Sequence, residues 1–319
     1  MPTVTQPQHQ QQQVLGFKRI LVATDFSDAS QRVLPWAFAI ARHYGAEVYL
    51  VHAIPPDARE PITVDPLPKA LDRDWTQAEE SMRHLAGQVR EHFREIHTLL
   101  KQGPPSVVIP SVIQSEGIDL LILGTHGRGG LKKLVLGSVA EELLRLAPCP
   151  VLTIGGNIPA AMPVTGDFQR ILFATDFGPA AEKVLQYALS LGEQNKAKLW
   201  FLHMVPPLPI VNVGPEPYGV PTYTGEELAQ WEATQRQESQ KKLKQMIPLE
   251  NKLAFEPELV TVTDFLPEGI LTVAAERNVD LIAMGANRTG SARTAAHAPW
   301  TVLHHIIAEA RCPILTVTA

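Results

Sequence analysis

The sequence repeats itself, and the repeat decides the architecture. Arg19-Ile20-Leu21-Val22-Ala23-Thr24-Asp25-Phe26 returns as Arg170-Ile171-Leu172-Phe173-Ala174-Thr175-Asp176-Phe177, with Val22 against Phe173 as the one change. At the same spacing, Tyr49-Leu50-Val51-His52-Ala53-Ile54-Pro55-Pro56 answers to Trp200-Phe201-Leu202-His203-Met204-Val205-Pro206-Pro207. Asp119-Leu120-Leu121-Ile122-Leu123-Gly124 then matches Asp280-Leu281-Ile282-Ala283-Met284-Gly285, and Cys149-Pro150-Val151-Leu152-Thr153-Ile154 matches Cys312-Pro313-Ile314-Leu315-Thr316-Val317. Two copies of one domain are implied, over 17–155 and 169–319. Residues 156–168, with Gly, Asn, Pro and Ala and no apolar period, read as the linker. The glutamine-rich stretch 1–16 has too little apolar surface to offset the entropy of ordering and is expected to be a disordered tail.

Within each copy, short continuous apolar runs bounded by turn residues are what strands buried on both faces of a parallel sheet require. Helical spacing alternates with them. In the first copy Ser27 suits a helix N-cap, Leu34, Ala37, Phe38 and Ala41 share a face, and Gly45 ends the helix. Met82, Leu85, Val89 and Phe93 predict a second helix after a long loop at Asp57 to Asp74. A third strand is expected at Ile96 to Leu100, and a helix after Pro104 that Pro110 should kink or shorten. The fold expected is a pair of doubly wound, open, parallel five-stranded sheets with helices on both faces. It is Rossmann-like and of the kind that binds ligands beyond the strand carboxyl ends. The last strands, Pro150 to Ile154 and Pro313 to Val317, are expected to pair between domains, because an exposed apolar edge needs covering.

Composition narrows the function. Apolar residues at 45% and charged residues at 19% fit a folded soluble chain, and a formal charge of -5 gives no basic field to neutralise a nucleic acid backbone. No apolar run is long enough to span a bilayer, so neither nucleic acid nor membrane is an expected partner, and a cytoplasmic location is. The two cysteines, Cys149 and Cys312, are far apart and precede proline in apolar surroundings, which suits inert thiols. His126 and the pair His304-His305 lack companions at metal-ligand spacing. His52 and His203, at matching strand positions, read as core histidines with satisfied hydrogen bonds.

The chemistry concentrates in Gly124-Thr125-His126-Gly127-Arg128-Gly129-Gly130-Leu131-Lys132-Lys133-Leu134-Val135-Leu136-Gly137-Ser138, which leaves a strand and enters a helix. Glycines let bare backbone approach a bound group, and amides at a helix start favour phosphate oxygens. Arg128, Lys132 and Lys133 have two readings, as charges that offset phosphate or as an ordinary solvated basic loop. Glycine, two residues, glycine, nine residues, glycine and serine resembles the ATP-binding signature of the universal stress protein family. Thr24-Asp25, His52-Ala53 and Gly137-Ser138-Val139-Ala140-Glu141 fall in the family's order. The resemblance implies ATP as cofactor, with magnesium an optional companion. It also implies a site from Thr24, Asp25, Ala53, Gly124, Gly127, Arg128, Gly137, Ser138 and Val139: Asp25 at the base or ribose, Ala53 at adenine, and the glycines with Ser138 at the phosphates. Asp25 has a second reading as a cap for the amides that follow it, and its twin Asp176 supports that reading.

The second copy departs from this pattern. Counting back from Cys312 puts Trp300 where the first copy has Gly137 and Thr301 where it has Ser138, while Arg288 replaces Gly127. Bulk at the phosphate position predicts that only the first domain binds nucleotide, leaving the second as a scaffold. The function expected is an ATP-binding stress or signalling protein with at most slow hydrolysis, acting through a protein partner that the sequence does not name. Pairing of whole chains into a homodimer is left open. The alternatives are a nucleotide-independent interaction module and an ATP-using transferase or pyrophosphatase. The last is disfavoured because Asp25-Phe26-Ser27-Asp28 lacks the glycines to wrap a pyrophosphate.

Overall fold

The computed structural model describes residues 15–55, 67–90, 93, 96–125, 136–207, 224–247, 256–286 and 299–318. The first half runs β1 (Arg19–Ala23), α1 (Asp28–Gln31), α2 (Leu34–Tyr44), β2 (Glu47–Ile54), α3 (Leu67–Arg90), β3 (Ile96–Gln102), α4 (Pro105–Glu116), β4 (Leu120–Gly124), α5 (Ser138–Leu146) and β5 (Val151–Ile154). The second runs β6 (Arg170–Ala174), α6 (Pro179–Asn195), β7 (Lys198–Val205), α7 (Gly225–Met246), β8 (Glu258–Thr263), α8 (Glu268–Glu276), β9 (Leu281–Ala286), α9 (Pro299–Glu309) and β10 (Ile314–Thr318).

The strands form one sheet in the order β3-β2-β1-β4-β5-β10-β9-β6-β7-β8. Pairing is parallel within each half, and the halves meet through antiparallel β5 and β10, with Leu152 opposite Leu315. Each half therefore turns back on itself at one point, between β1 and β4 and between β6 and β9. The reversal at the seam puts the carboxyl ends of the two sets of strands on opposite edges of the sheet.

Side chains alternate across the strands, so Ile20 and Val22 face one layer of helices and Leu21 the other. Ala37, Leu85, Leu189 and Leu243, from α2, α3, α6 and α7, pack on the first face, and Ile109, Leu143, Val273 and Ile306, from α4, α5, α8 and α9, pack on the second. Both cores run unbroken through the seam. Polar contacts join the halves as well. Asn195 at the end of α6 is buried, lies 2.9 Å through Oδ1 from His43 Nε2, and donates from Nδ2 to the Tyr44 hydroxyl at 3.2 Å. The Leu15 carbonyl accepts from Ser190 and from Gln194 on α6.

Several local expectations change. The region expected as a loop up to Asp74 is helical from Leu67, since Pro68 falls in the first turn, where a missing amide costs little. Phe93 lies beyond the end of α3 yet keeps a bond to the Val89 carbonyl and packs on Phe38 with ring centroids 5.5 Å apart. β3 continues to Gln102 because its pairing with β2 runs on to Ile54. α4 continues through Pro110 to Glu116: the proline forfeits one bond in mid-helix, while Val108, Ile109, Val112 and Ile113 anchor the helix in the core. Ser27 caps α1 by accepting from the Ser30 amide, and Gly45 ends α2 in the left-handed region at φ 67°.

Candidate functional site

The register brings the first copy's predicted residues to one edge. Val22 pairs with Leu50 on one side and Ile122 on the other, so Thr24, His52 and Gly124 stand level, with Ala53 one residue further along β2. This is the reversal between β1 and β4, where an open α/β sheet leaves a crevice. The start of α5 is tied to the same edge, because the Gly137 amide donates to the Thr125 carbonyl at 2.8 Å.

Much of this edge holds itself together. The Thr24 hydroxyl accepts from the Phe26 amide at 3.0 Å and is 3.0 Å from the Ser30 hydroxyl, while the Thr24 carbonyl accepts from His52 Nδ1 at 2.7 Å. Asp25 Oδ1 accepts from the Ser27 amide at 3.0 Å and the Ser27 hydroxyl at 2.6 Å. Asp176 does the same in the second copy, accepting from the Gly178 amide at 2.9 Å. The capping role weighed for Asp25 is thus built into both copies.

The sequence reading missed the residue between these groups. Phe26 takes φ 64° and Phe177 φ 61°, a left-handed backbone that is an outlier for a bulky side chain. A threonine hydroxyl accepting from the Phe amide holds each one, and each ring packs on a histidine, at 4.4 Å between Phe26 and His52 and 4.3 Å between Phe177 and His203. The signal lay in the repeat: Thr-Asp-Phe and its histidine recur together. Because a carbonyl only accepts, each histidine carries its hydrogen on Nδ1. Burial holds His203 below its ordinary value, helped by Lys242 and opposed by the bond to the Thr175 carbonyl and by Asp176. These histidines are packing groups that brace the strand exit.

Gly124 also has a reason independent of any ligand. A Cβ there would stand 2.9 Å from the Ala29 carbonyl oxygen and 3.3 Å from Val33, so the strand end and α1 approach too closely for a side chain. Its twin Gly285 is tighter, 2.6 Å from both Ala180 C and Ala181 N. That explains why the first glycine of the motif survives in both copies.

The start of α5 is more distinctive. Gly137 is the N-cap of α5 in extended backbone, φ -62° and ψ 143°, with no side-chain cap. Its amide is spent on Thr125, contrary to the expectation that it points at phosphate. The first-turn amides of Ser138, Val139 and Ala140 have no acceptor within the helix. Ser138 is exposed, as is the apolar Val139 at 44%. Ala53 is buried within β2. Gly127 and Arg128, with His126, Lys132 and Lys133, lie outside the described residues.

In the second copy, Thr301 corresponds to Ser138, but α9 begins at Pro299. The helix is two residues longer at its amino end, which advances it by about 3 Å, and its first residue has no amide hydrogen. Arg288 and the Trp300 side chain lie outside the described residues. Among the described residues no group of three or more His, Cys, Asp or Glu is arranged to hold a metal, and no helix is long and apolar enough to cross a membrane.

Fold and crevice together define a tandem of doubly wound α/β domains fused through their last strands, with an uncapped helix start at the first crevice. The chain belongs to the universal stress protein family, whose model matches residues 16–155 and again 167–318. A universal stress protein of Thermus aquaticus is 37% identical over 141 residues, which is 43% of this chain and 98% of the relative. Universal stress protein MJ0531 of Methanocaldococcus jannaschii is 30% identical over 149 residues, 43% of this chain and 82% of the relative. The crystal structure of a universal stress protein from Archaeoglobus fulgidus superposes with a TM-score of 0.64 at 21% identity, covering 94% of this chain and 98% of that one. The last comparison speaks to the fold alone.

Proposed function

We propose that this chain is an ATP-binding member of its family that holds one nucleotide, in the first domain, and signals through the surface that the nucleotide orders. The observation that carries the reading is the asymmetry of the two helix starts. In the first copy a glycine-spaced loop enters α5 at an uncapped end whose early amides lack helical partners, the arrangement that favours phosphate. In the second copy the spacing is gone and the helix starts two residues sooner. The assigned site is Thr24, Asp25, Ala53, Gly124, Gly127, Arg128, Gly137, Ser138 and Val139, with magnesium as an optional companion of the phosphates. No residue is assigned a catalytic role, so turnover is slow or absent. The domains, taken as 17–155 and 169–319, work as reader and scaffold in a cytoplasmic protein.

A second reading, a scaffold that needs no nucleotide, is favoured by the self-contained bonding of Thr24 and Asp25 and by the packing role of Gly124. Calorimetric titration of the full chain with MgATP separates the two. One site per chain is expected, and Gly137→Trp, which copies the residue of the second half, should weaken it by about a hundredfold, or about 2.7 kcal/mol. The backbone at Gly137 is one that any residue adopts, and circular dichroism checks that the variant folds. Two sites per chain would refute the asymmetry, and no site would leave the scaffold reading.

A further inference from the structure

A second cavity, of about 440 Å³, opens at the seam on the sheet edge opposite the first crevice. Its size falls in the range of small-molecule sites. Both domains build it. The turn before β5 contributes Pro148 and Cys149, the end of β10 contributes Val317 and Thr318, and α6 contributes Lys183 and Tyr187. Leu15 closes one side, fixed there by the two side-chain bonds from α6 to its carbonyl at 2.9 and 2.8 Å.

The lining is apolar at Leu15, Pro148, Pro150 and Val317, polar at Gln186 and Thr318, and carries one cation. Burial pushes the Cys149 thiol up to about 12 and raises the Tyr187 phenol, so both are neutral at pH 7. None of the lining residues is acidic. Among the described residues, Asp119 is the carboxylate whose charge acts on Cys149 and Tyr187, and its oxygens accept from the Lys18 and Arg19 amides at 2.8 and 3.2 Å. Lys183, exposed at the rim, donates to the Thr318 carbonyl at 3.3 Å, a neutral partner that leaves its charge uncompensated within the lining. A ligand that matches this wall has an apolar body and one negative head.

We infer that the seam cavity binds a small apolar monocarboxylate, its chain against Pro148, Tyr187 and Val317 and its head on the Lys183 ammonium. The site needs both halves and owes nothing to the nucleotide crevice, so it stands or falls independently of the proposed function. The probe is decanoate, titrated by calorimetry into the full chain with and without saturating ATP. One saturable site is expected, with unchanged affinity when ATP is present. Lys183→Glu, on an exposed helix face, should weaken decanoate at least tenfold, and Gln186→Trp, which fills the mouth from the same helix, should abolish binding. Circular dichroism checks that both variants fold. The inference is overturned by absence of saturable binding, by equal affinity in Lys183→Glu, by equal affinity for uncharged decanol, or by displacement of decanoate by ATP.

Discussion

Replacing Gly285 with alanine isolates the packing role of the motif's first glycine from any role in ligand binding. The added Cβ would sit 2.6 Å from two backbone atoms of α6, against 2.9 Å from one backbone oxygen for Gly124→Ala. Ordinary carbon contacts begin near 3.4 Å. The helix must therefore retreat by about 0.8 Å at Gly285 and about 0.5 Å at Gly124, and overpacking of this kind costs about 1–3 kcal/mol. Neither glycine has a positive φ, so no left-handed strain is added. Alanine returns about 0.4–1 kcal/mol by stiffening the unfolded chain. The tighter contact puts Gly285→Ala in the upper half of that cost, so its net loss is about 1–2.5 kcal/mol, with roughly half of that for Gly124→Ala. Urea denaturation followed by circular dichroism reads both, with MgATP affinity measured in parallel. Gly285→Ala should leave ATP affinity unchanged. A Gly285→Ala midpoint equal to that of the parent, or a larger loss at Gly124 than at Gly285, would refute the packing argument.

Asn195→Leu keeps the branched outline of a buried residue between the halves and removes the partner of His43 and Tyr44. A loss of about 1–3 kcal/mol is expected from the orphaned polar groups, and an unchanged urea midpoint would show that they find water instead. Stability should also fall as the pH drops through and below 6.5, the ordinary histidine value, because His203 is held below it in the folded chain. The unfolded chain then binds the extra proton first, so unfolding gains as acid is added, while the full contribution of neutral His203 is present above that pH. His203→Gln should flatten the acid limb of a thermal-melt series between pH 7.5 and 5.5, and an unaltered slope would assign the effect to other groups.

The sheet was legible because strands buried on both faces are continuous apolar runs, and the repeat supplied their order twice over. The seam was legible for the same reason, since Val151–Ile154 and Ile314–Thr318 would otherwise be bare apolar edges. What escaped was tertiary. Nothing in the identity of Phe26 announces a left-handed backbone, which arises from the hydroxyl of Thr24 and the ring of His52. Gly124 was read as a ligand glycine, yet the distance to Ala29 that demands it exists only after α1 has docked. The Gly137 amide was expected at phosphate and is found on the Thr125 carbonyl. His43, Tyr44 and Asn195 are about 150 positions apart and share no pattern that would pair them.

The antiparallel junction of β5 and β10 has a consequence for how such a molecule can change. When two identical subunits join this way, every substitution is made twice, and neither crevice can be altered without the other. Covalent fusion lifts that restriction while keeping the shared sheet. One half is then free to diverge from the other, and the carboxyl ends of the two sets of strands, set at opposite rims, can change separately.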